Sequence, residues 1–432
     1  MTILIVVYYS LLTWVCGAVS ANINGRCNSF VVLGDSISDT GRFRQTVIDT
    51  GISRDLYNKI GYWYGRYSNG PIWAEYAAAA LNKTLQNFSY AGSSSVRENV
   101  TINQFDFELP GLHDQIHQVD DISGSCSSNI AAMSGGFNRK SGDVVTVSLG
   151  INDLLWKFER KPGNGTDSYH ISGIGDAIVS GIDELEIKGY KDIVVFNIPA
   201  IAQSPFIALH MESDRSYKAT IELIESFSPP VSIEEFVDSV IKQANKDIEQ
   251  KVTLNEEKYR KNKTRVRIFD FYNVTKMSSD PAILKMLGIS DISGSCIDEN
   301  GMSLEWKSCP DPNHYYWYDT VHPNTRVQCF LGLVVAEFVA SDHFTYSVER
   351  FTDIVEKYHL DVNRTGSGIF EKVFNDLSAI EKTRPVGPKD FHRFFQTLGI
   401  NTDNIPEVFL PFFKYSFKKY QDFMTAPSPI DL

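Results

Sequence analysis

The chain carries no excess of positive charge: 41 Lys and Arg stand against 53 Asp and Glu, for a net charge of −12. A nucleic-acid binder normally presents a basic face, so that class is disfavoured and no nucleic-acid partner is expected. Cysteine is scarce, six in 432 residues, and no Cys/His cluster has the spacing of a zinc site. His113 and His117 are spaced i,i+4, but the sequence offers them no clear third ligand, so both read as surface or packing residues, as does His314. No Gly-x-Ser-x-Gly occurs, which argues against a nucleophile elbow of the α/β-hydrolase kind. Beyond the first twenty residues no apolar run is long enough to span a bilayer; Cys329 to Ala340 is too short.

Asp, Glu, Lys and Arg are also missing from residues 1–20. Ile3 to Val19 is apolar, and Ala18-Val19-Ser20 offers small residues at the −3 and −1 positions of a cleavage site. Residues 1–20 therefore read as a signal peptide; the long apolar run without a positive n-region keeps an uncleaved anchor as the rival. Seven Asn-x-Ser/Thr sequons, at Asn82, Asn87, Asn99, Asn164, Asn262, Asn273 and Asn363, fit a eukaryotic secretory route. The expected location is extracellular, or the lumen of the secretory or endolysosomal route. Cys16 leaves with the leader, and an odd set remains: Cys27, Cys126, Cys296, Cys309 and Cys329. Cys296 and Cys309 are close in sequence and fit a local disulfide. At least one of the others is then free or pairs between chains.

What is present is an alternation. Phe30–Leu33, Val144–Leu149, Ile193–Ile198 and Val266–Phe271 are short, β-branched runs of buried-strand type. Between and after them, Ile72–Leu81, Ile174–Ile187, Glu234–Val252 and Val327–Phe338 repeat with helical period. That order implies an α/β fold, a parallel sheet covered on both faces. The pattern fills residues 27–345; Asp291–Pro312 reads as an irregular loop holding the Cys296/Cys309 pair. Residues 346–432 read as a helical C-terminal extension with aromatic faces: Phe370, Phe374 and Leu377, then Phe391, Phe394, Phe395 and Leu398, then Phe409, Phe412, Phe413 and Tyr420. Packing of these faces on one another or on the main domain is the plain reading, a lipid-facing surface the sharper one.

Four short segments carry chemistry. Tyr318-Asp319-Thr320-Val321-His322-Pro323 sets a carboxylate three residues before an imidazole, close enough to fix the ring's tautomer and leave its other nitrogen as a base. Gly34-Asp35-Ser36 follows the first strand, where open α/β sheets place their ligands. An ordinary strand-to-helix turn, with Ser36 or Asp39 as N-cap, is the alternative for that segment alone. Ala91-Gly92-Ser93 brings a glycine whose N–H can approach a substrate, and Gly150-Ile151-Asn152-Asp153 ends another strand with a side-chain amide. Together Ser36, Gly92 and Asn152 would make an oxyanion hole.

These segments, in the order Ser, Gly, Asn, Asp-x-x-His, resemble the blocks of the GDSL, or SGNH, hydrolase family. Gly65-Arg66-Tyr67-Ser68-Asn69-Gly70-Pro71-Ile72-Trp73 and Ile198–Pro205 resemble further stretches of the family. Departures are Ile37 for the family's Leu, Arg42 for its frequent Asn, and Ala91-Gly92-Ser93 for Gly-Gly-Ala. The resemblance implies an SGNH-hydrolase-like, flavodoxin-like three-layer fold and an ester hydrolase without cofactor or metal. Ser36 would be the nucleophile, His322 the base and Asp319 its partner. It also implies that Asn87, in the second block, is buried and unglycosylated. Substrates would be lipid or simple acyl esters; a glycan O-acetylesterase is the alternative, and a non-catalytic secreted binding protein the alternative from another class. Tyr315-Tyr316-Trp317-Tyr318 and Trp156 either line a pocket or serve as packing, the second being favoured. A membrane or lipid interface through the C-terminal extension would suit lipid esters.

Overall fold

The computed structural model describes residues 28–49, 61–96, 109–123, 142–159, 172–211, 232–297, 308–363 and 368–383. The leader, Cys27, Cys126, the sequons at Asn99 and Asn164, and the aromatic faces from Phe391 onward lie outside them.

Five strands form one sheet: β1 (Ser29–Gly34), β2 (Thr84–Asn87), β3 (Val144–Ser148), β4 (Asp192–Phe196) and β5 (Arg265–Phe269). Their order is β2-β1-β3-β4-β5, and all pair in parallel. The strands are nearly continuous runs of Val, Ile and Phe because both sheet faces are covered. Side chains alternate: Phe30 and Val32 of β1 enter one core, Val31 and Leu33 the other.

In chain order the described helices are α1 (Arg42–Asp49), α2 (Trp73–Ala80), α3 (Leu112–Ser123), α4 (Ile151–Glu159), α5 (Ser172–Ile187), α6 (Pro205–Met211), α7 (Ile233–Leu254), α8 (Glu256–Lys261), α9 (Phe271–Ser278), α10 (Pro281–Leu287), α11 (Thr325–Ala340), α12 (Val348–Lys357) and α13 (Ile369–Thr383). One core lies between the sheet and α2, α9, α10, α11 and α12; the other lies between the sheet and α3, α5 and α7. This is the three-layer α/β fold that the resemblance implies. The four strands and four helices read from periodicity are present with ends displaced by a few residues.

Two parts differ from the sequence reading. Strand β2 was missed because Thr-Leu-Gln-Asn is a short, polar edge strand with no apolar run. The segment read as an irregular loop opens with β6 (Asp291–Ser295), which pairs in parallel with β7 (Tyr315–Trp317). Asp-Ile-Ser-Gly-Ser has no strand pattern; it is held beside β7 by the pairing and by the Trp317 indole N–H, which donates to the Ile292 carbonyl at 3.0 Å. The sulfurs of Cys296 and Cys309 stand 2.11 Å apart, the spacing of a disulfide. Cys329 is buried and free.

The start of the C-terminal extension shares a core with the preceding residues. Phe351, Ile354 and Val355 of α12 are fully buried, each contributing about 1.5–3 kcal/mol by its burial. Phe370 of α13 stacks on Tyr76, and Phe374 packs on Trp63. Arg66, itself buried, bonds Glu75 at 2.6 Å and Glu381 of α13 at 2.8 Å. Among the described residues, therefore, position 345/346 does not separate two cores.

Candidate active site

Ser36 lies just beyond β1, and Asn152 opens α4 just beyond β3. Strands β1 and β3 are neighbours at the point where the strand order reverses, so their connections leave in opposite directions and open a crevice at the carboxyl edge. The turn at Ser36 is held by the Ser38 N–H, which donates to the Asp35 carbonyl at 3.0 Å. Gln115 of α3 brackets Gly34, accepting its N–H and donating to its carbonyl, both at 2.9 Å.

The segment after β7 makes a tight loop. Tyr318 N–H donates to the His322 carbonyl at 2.7 Å. Asp319 Oδ1 accepts the backbone N–H groups of Val321 at 2.8 Å and His322 at 2.6 Å. Its Oδ2 is thereby aimed at His322 Nδ1, 2.6 Å away, and His322 Nε2 stands 2.7 Å from Ser36 Oγ. A carboxylate at Nδ1 fixes the tautomer in which Nε2 accepts the serine proton. Burial pushes the Asp319 carboxyl up, but the facing His322 charge and the hydrogen bonds from His322, Tyr62 and the Val321 amide outweigh it and hold the group below the usual carboxylate value.

The loop holding Gly92 is fastened from three directions. Asp39 Oδ2 accepts the Ala91 N–H at 2.9 Å. Asn152 Nδ2 donates to the Ser93 carbonyl at 2.8 Å. Asp153 accepts the N–H groups of Ser95 at 2.8 Å and Val96 at 3.1 Å. Gly92 itself has φ +81°, a conformation that side chains rarely adopt. Asn87 Nδ2, the atom that glycosylation would modify, donates to the Ser38 carbonyl at 2.6 Å.

Ser36, Asn152 and His322 line one cavity, whose apolar walls include Ile37, Ile151, Leu155, Ile198, Ile201 and Val321. Gly92 is not part of that lining; its position relative to Ser36 is set through Ala91 and Ser93. Tyr316, Trp317 and Tyr318 do not line it either. They are buried, with polar atoms bonded to Ser278, the Ile292 carbonyl and the Gly61 carbonyl respectively. The Trp156 side chain lies outside the described residues. His314 is exposed, and Ser38 accepts the Trp73 indole N–H at 3.0 Å.

Two groups at this site leave no mark in the sequence, and a third, Asp35, is quoted there without a role. Tyr62 donates its hydroxyl to Asp319 Oδ2 at 2.6 Å. Gln115 is fully buried and also donates to Ser93 Oγ at 3.0 Å. Asp35, buried beside Ser36, has its carboxyl pushed up by burial to about 7, and the Ile37 N–H only partly offsets this. A lone Tyr 257 residues from its partner, or a helical Gln, gives no local signal in a sequence. Beside His113 and His117, to which the sequence offers no clear third ligand, stands Glu184 of α5.

The class defined by this fold and these blocks is that of three-layer α/β proteins with a Ser-His-Asp relay at the carboxyl edge of a parallel sheet. The chain belongs to the GDSL-like lipase/acylhydrolase family, whose model matches residues 30–332. Among curated proteins it is 27% identical over 187 residues to a phosphatidylcholine-sterol acyltransferase of Aeromonas hydrophila, covering 40% of this chain and 45% of that protein. It is 28% identical over 129 residues to a thermolabile hemolysin of Vibrio parahaemolyticus, covering 30% of this chain and 26% of that protein. The chain thus matches less than half the length of either relative.

Proposed function

We propose that the protein is a secreted serine ester hydrolase that works through a covalent acyl-enzyme on lipid or simple acyl esters. The observation carrying this reading is the continuous relay from Ser36 Oγ to His322 Nε2, 2.7 Å, and from His322 Nδ1 to Asp319, 2.6 Å, in the wall of an apolar cavity. Ser36 Oγ bonds to the ester carbonyl carbon while its proton passes to His322 Nε2. The carbonyl π pair moves onto oxygen, where Asn152 and the N–H groups of Ser36 and Gly92 receive it. Asp319 stays ionised and stabilises the imidazolium. Collapse breaks the ester C–O bond, and the leaving alcohol takes the proton from His322. Water then repeats the sequence on the acyl-enzyme, releasing the acid and restoring Ser36.

The aliphatic walls suit an acyl chain. The relative named as a phosphatidylcholine-sterol acyltransferase favours a second reading, in which an alcohol replaces water as acyl acceptor. Passage through the secretory route is supported by the uncharged leader, the Cys296–Cys309 pair and exposed sequons at Asn82, Asn262 and Asn363. Asn273 is half-buried, so it suits glycosylation less well.

The test is an ester panel run on the secreted protein and on Ser36→Ala: short- and medium-chain nitrophenyl esters, phosphatidylcholine with and without an added alcohol, and an acetylated sugar. Turnover of acyl esters that disappears in a folded Ser36→Ala protein is expected. Activity confined to acetylated sugars would favour the glycan reading, and none at all would favour the binding protein.

A further inference from the structure

We propose that His113 and His117, braced by Glu184 of α5, form a second site, separate from the ester-hydrolysing one, that binds a divalent cation of the zinc type. His113 and His117 are one turn apart on α3, so their rings share a face. The two Nε2 atoms stand 3.0 Å apart, and the rings meet edge to face. Glu184 reaches across from α5 and accepts from His113 Nδ1 at 2.9 Å. One donor atom from each of the three residues fits within a 4.8 Å cluster. The helices come this close because Gly181 of α5 leaves room: a Cβ there would stand 2.8 Å from Leu112 Cδ2.

The chemistry of the set favours a cation of this class. Imidazole nitrogens suit zinc, copper and nickel far better than magnesium or calcium. Tetrahedral zinc at its usual bond length holds two imidazole nitrogens about 3.4 Å apart, so the pair needs to open by only a few tenths of an ångström. A carboxylate on the other ring nitrogen is the usual support of a zinc-bound histidine, because it fixes the tautomer and raises the basicity of the ligating atom. Glu184 already stands in that position for His113. For both Nε2 lone pairs to face the cation, His117 carries its proton on Nδ1, a change of tautomer with no change of charge. Water fills the remaining positions, and the site admits it: the His113 side chain is 38% exposed and that of Glu184 26%.

None of the three residues lines the Ser36 cavity. They are nevertheless linked to it, since Gln115, between the two histidines on α3, holds Gly34 and Ser93. A cation held by the two α3 histidines, with Glu184 of α5 bracing His113, would therefore stabilise the helix on which the Ser36 turn and the Gly92 loop rest, without entering the reaction.

The experiment uses the full secreted chain, freed of metal with EDTA, desalted and titrated with ZnCl2 by calorimetry, with thermal melting followed in parallel. Expected are one saturable equivalent of zinc and a higher melting temperature in its presence. His117→Ala should abolish both effects, and Glu184→Gln should weaken binding by about 10–100-fold. Both variants, free of metal, should turn over a soluble ester at the native rate. Absence of saturable zinc uptake by the native protein would overturn the site. So would undiminished uptake by His117→Ala.

Discussion

Replacing Asn152 with alanine should cut turnover far more than it changes substrate affinity. The side-chain nitrogen carries two hydrogens, and one is committed to the Ser93 carbonyl at 2.8 Å. The other is free to meet charge that develops on a carbonyl oxygen in the cavity that Asn152 and Ser36 both line. A ground-state ester needs that donor little; an oxyanion needs it greatly. Losing one such donor costs about 2.7–4 kcal/mol in the transition state, a fall in kcat of about 10²–10³. Stability should suffer less, because the lost bond to Ser93 is worth roughly 0.5–1.5 kcal/mol. The assay is steady-state hydrolysis of a soluble nitrophenyl ester, reporting kcat and KM separately, with a melting curve on the same preparation. A raised KM with kcat unchanged would show that Asn152 only holds substrate and would refute the oxyanion assignment.

Tyr62→Phe removes a hydroxyl from Asp319 worth about 1.5–3 kcal/mol as a hydrogen bond to a charged group. The carboxylate left behind is more basic and grips the imidazolium more tightly, so the acid limb of kcat/KM should move to higher pH; lower activity with an unmoved limb would mean that Tyr62 is only structural. Asp35→Asn tests the buried acid: its folded value near 7 against an ordinary 3.8 means that the native state holds the proton more tightly. The stability this confers is complete below the unfolded value and is lost as pH rises to about 7, a swing of roughly 4 kcal/mol. Urea unfolding at pH 4 and pH 8 should show that swing in the native protein and a flatter profile in the variant; equal slopes would refute it. Arg66→Leu leaves Glu75 and Glu381 buried without their cation, at a cost of about 3–5 kcal/mol at neutral pH. An unchanged denaturation midpoint at pH 7 would contradict the buried network.

The strand–helix alternation was legible in the sequence because a sheet covered on both faces demands apolar runs, and apolar runs are local. The blocks around Ser36, Asn152 and His322 were legible for a related reason: each sits at a strand end or tight turn whose residue types are dictated by a few neighbours, as in Asp319 and His322, three residues apart. The tertiary structure alone decided the rest. It brought Ser36 to within 2.7 Å of an imidazole 286 residues away. It set Tyr62 on Asp319, Gln115 on Gly34 and Glu184 beside His113, pairings between elements distant in sequence. It also made β6 from Asp-Ile-Ser-Gly-Ser and drew α12 and α13 into the main core. Periodicity reports which face of an element is buried, but contacts between side chains far apart in the chain depend on how whole elements pack, and no local pattern encodes that.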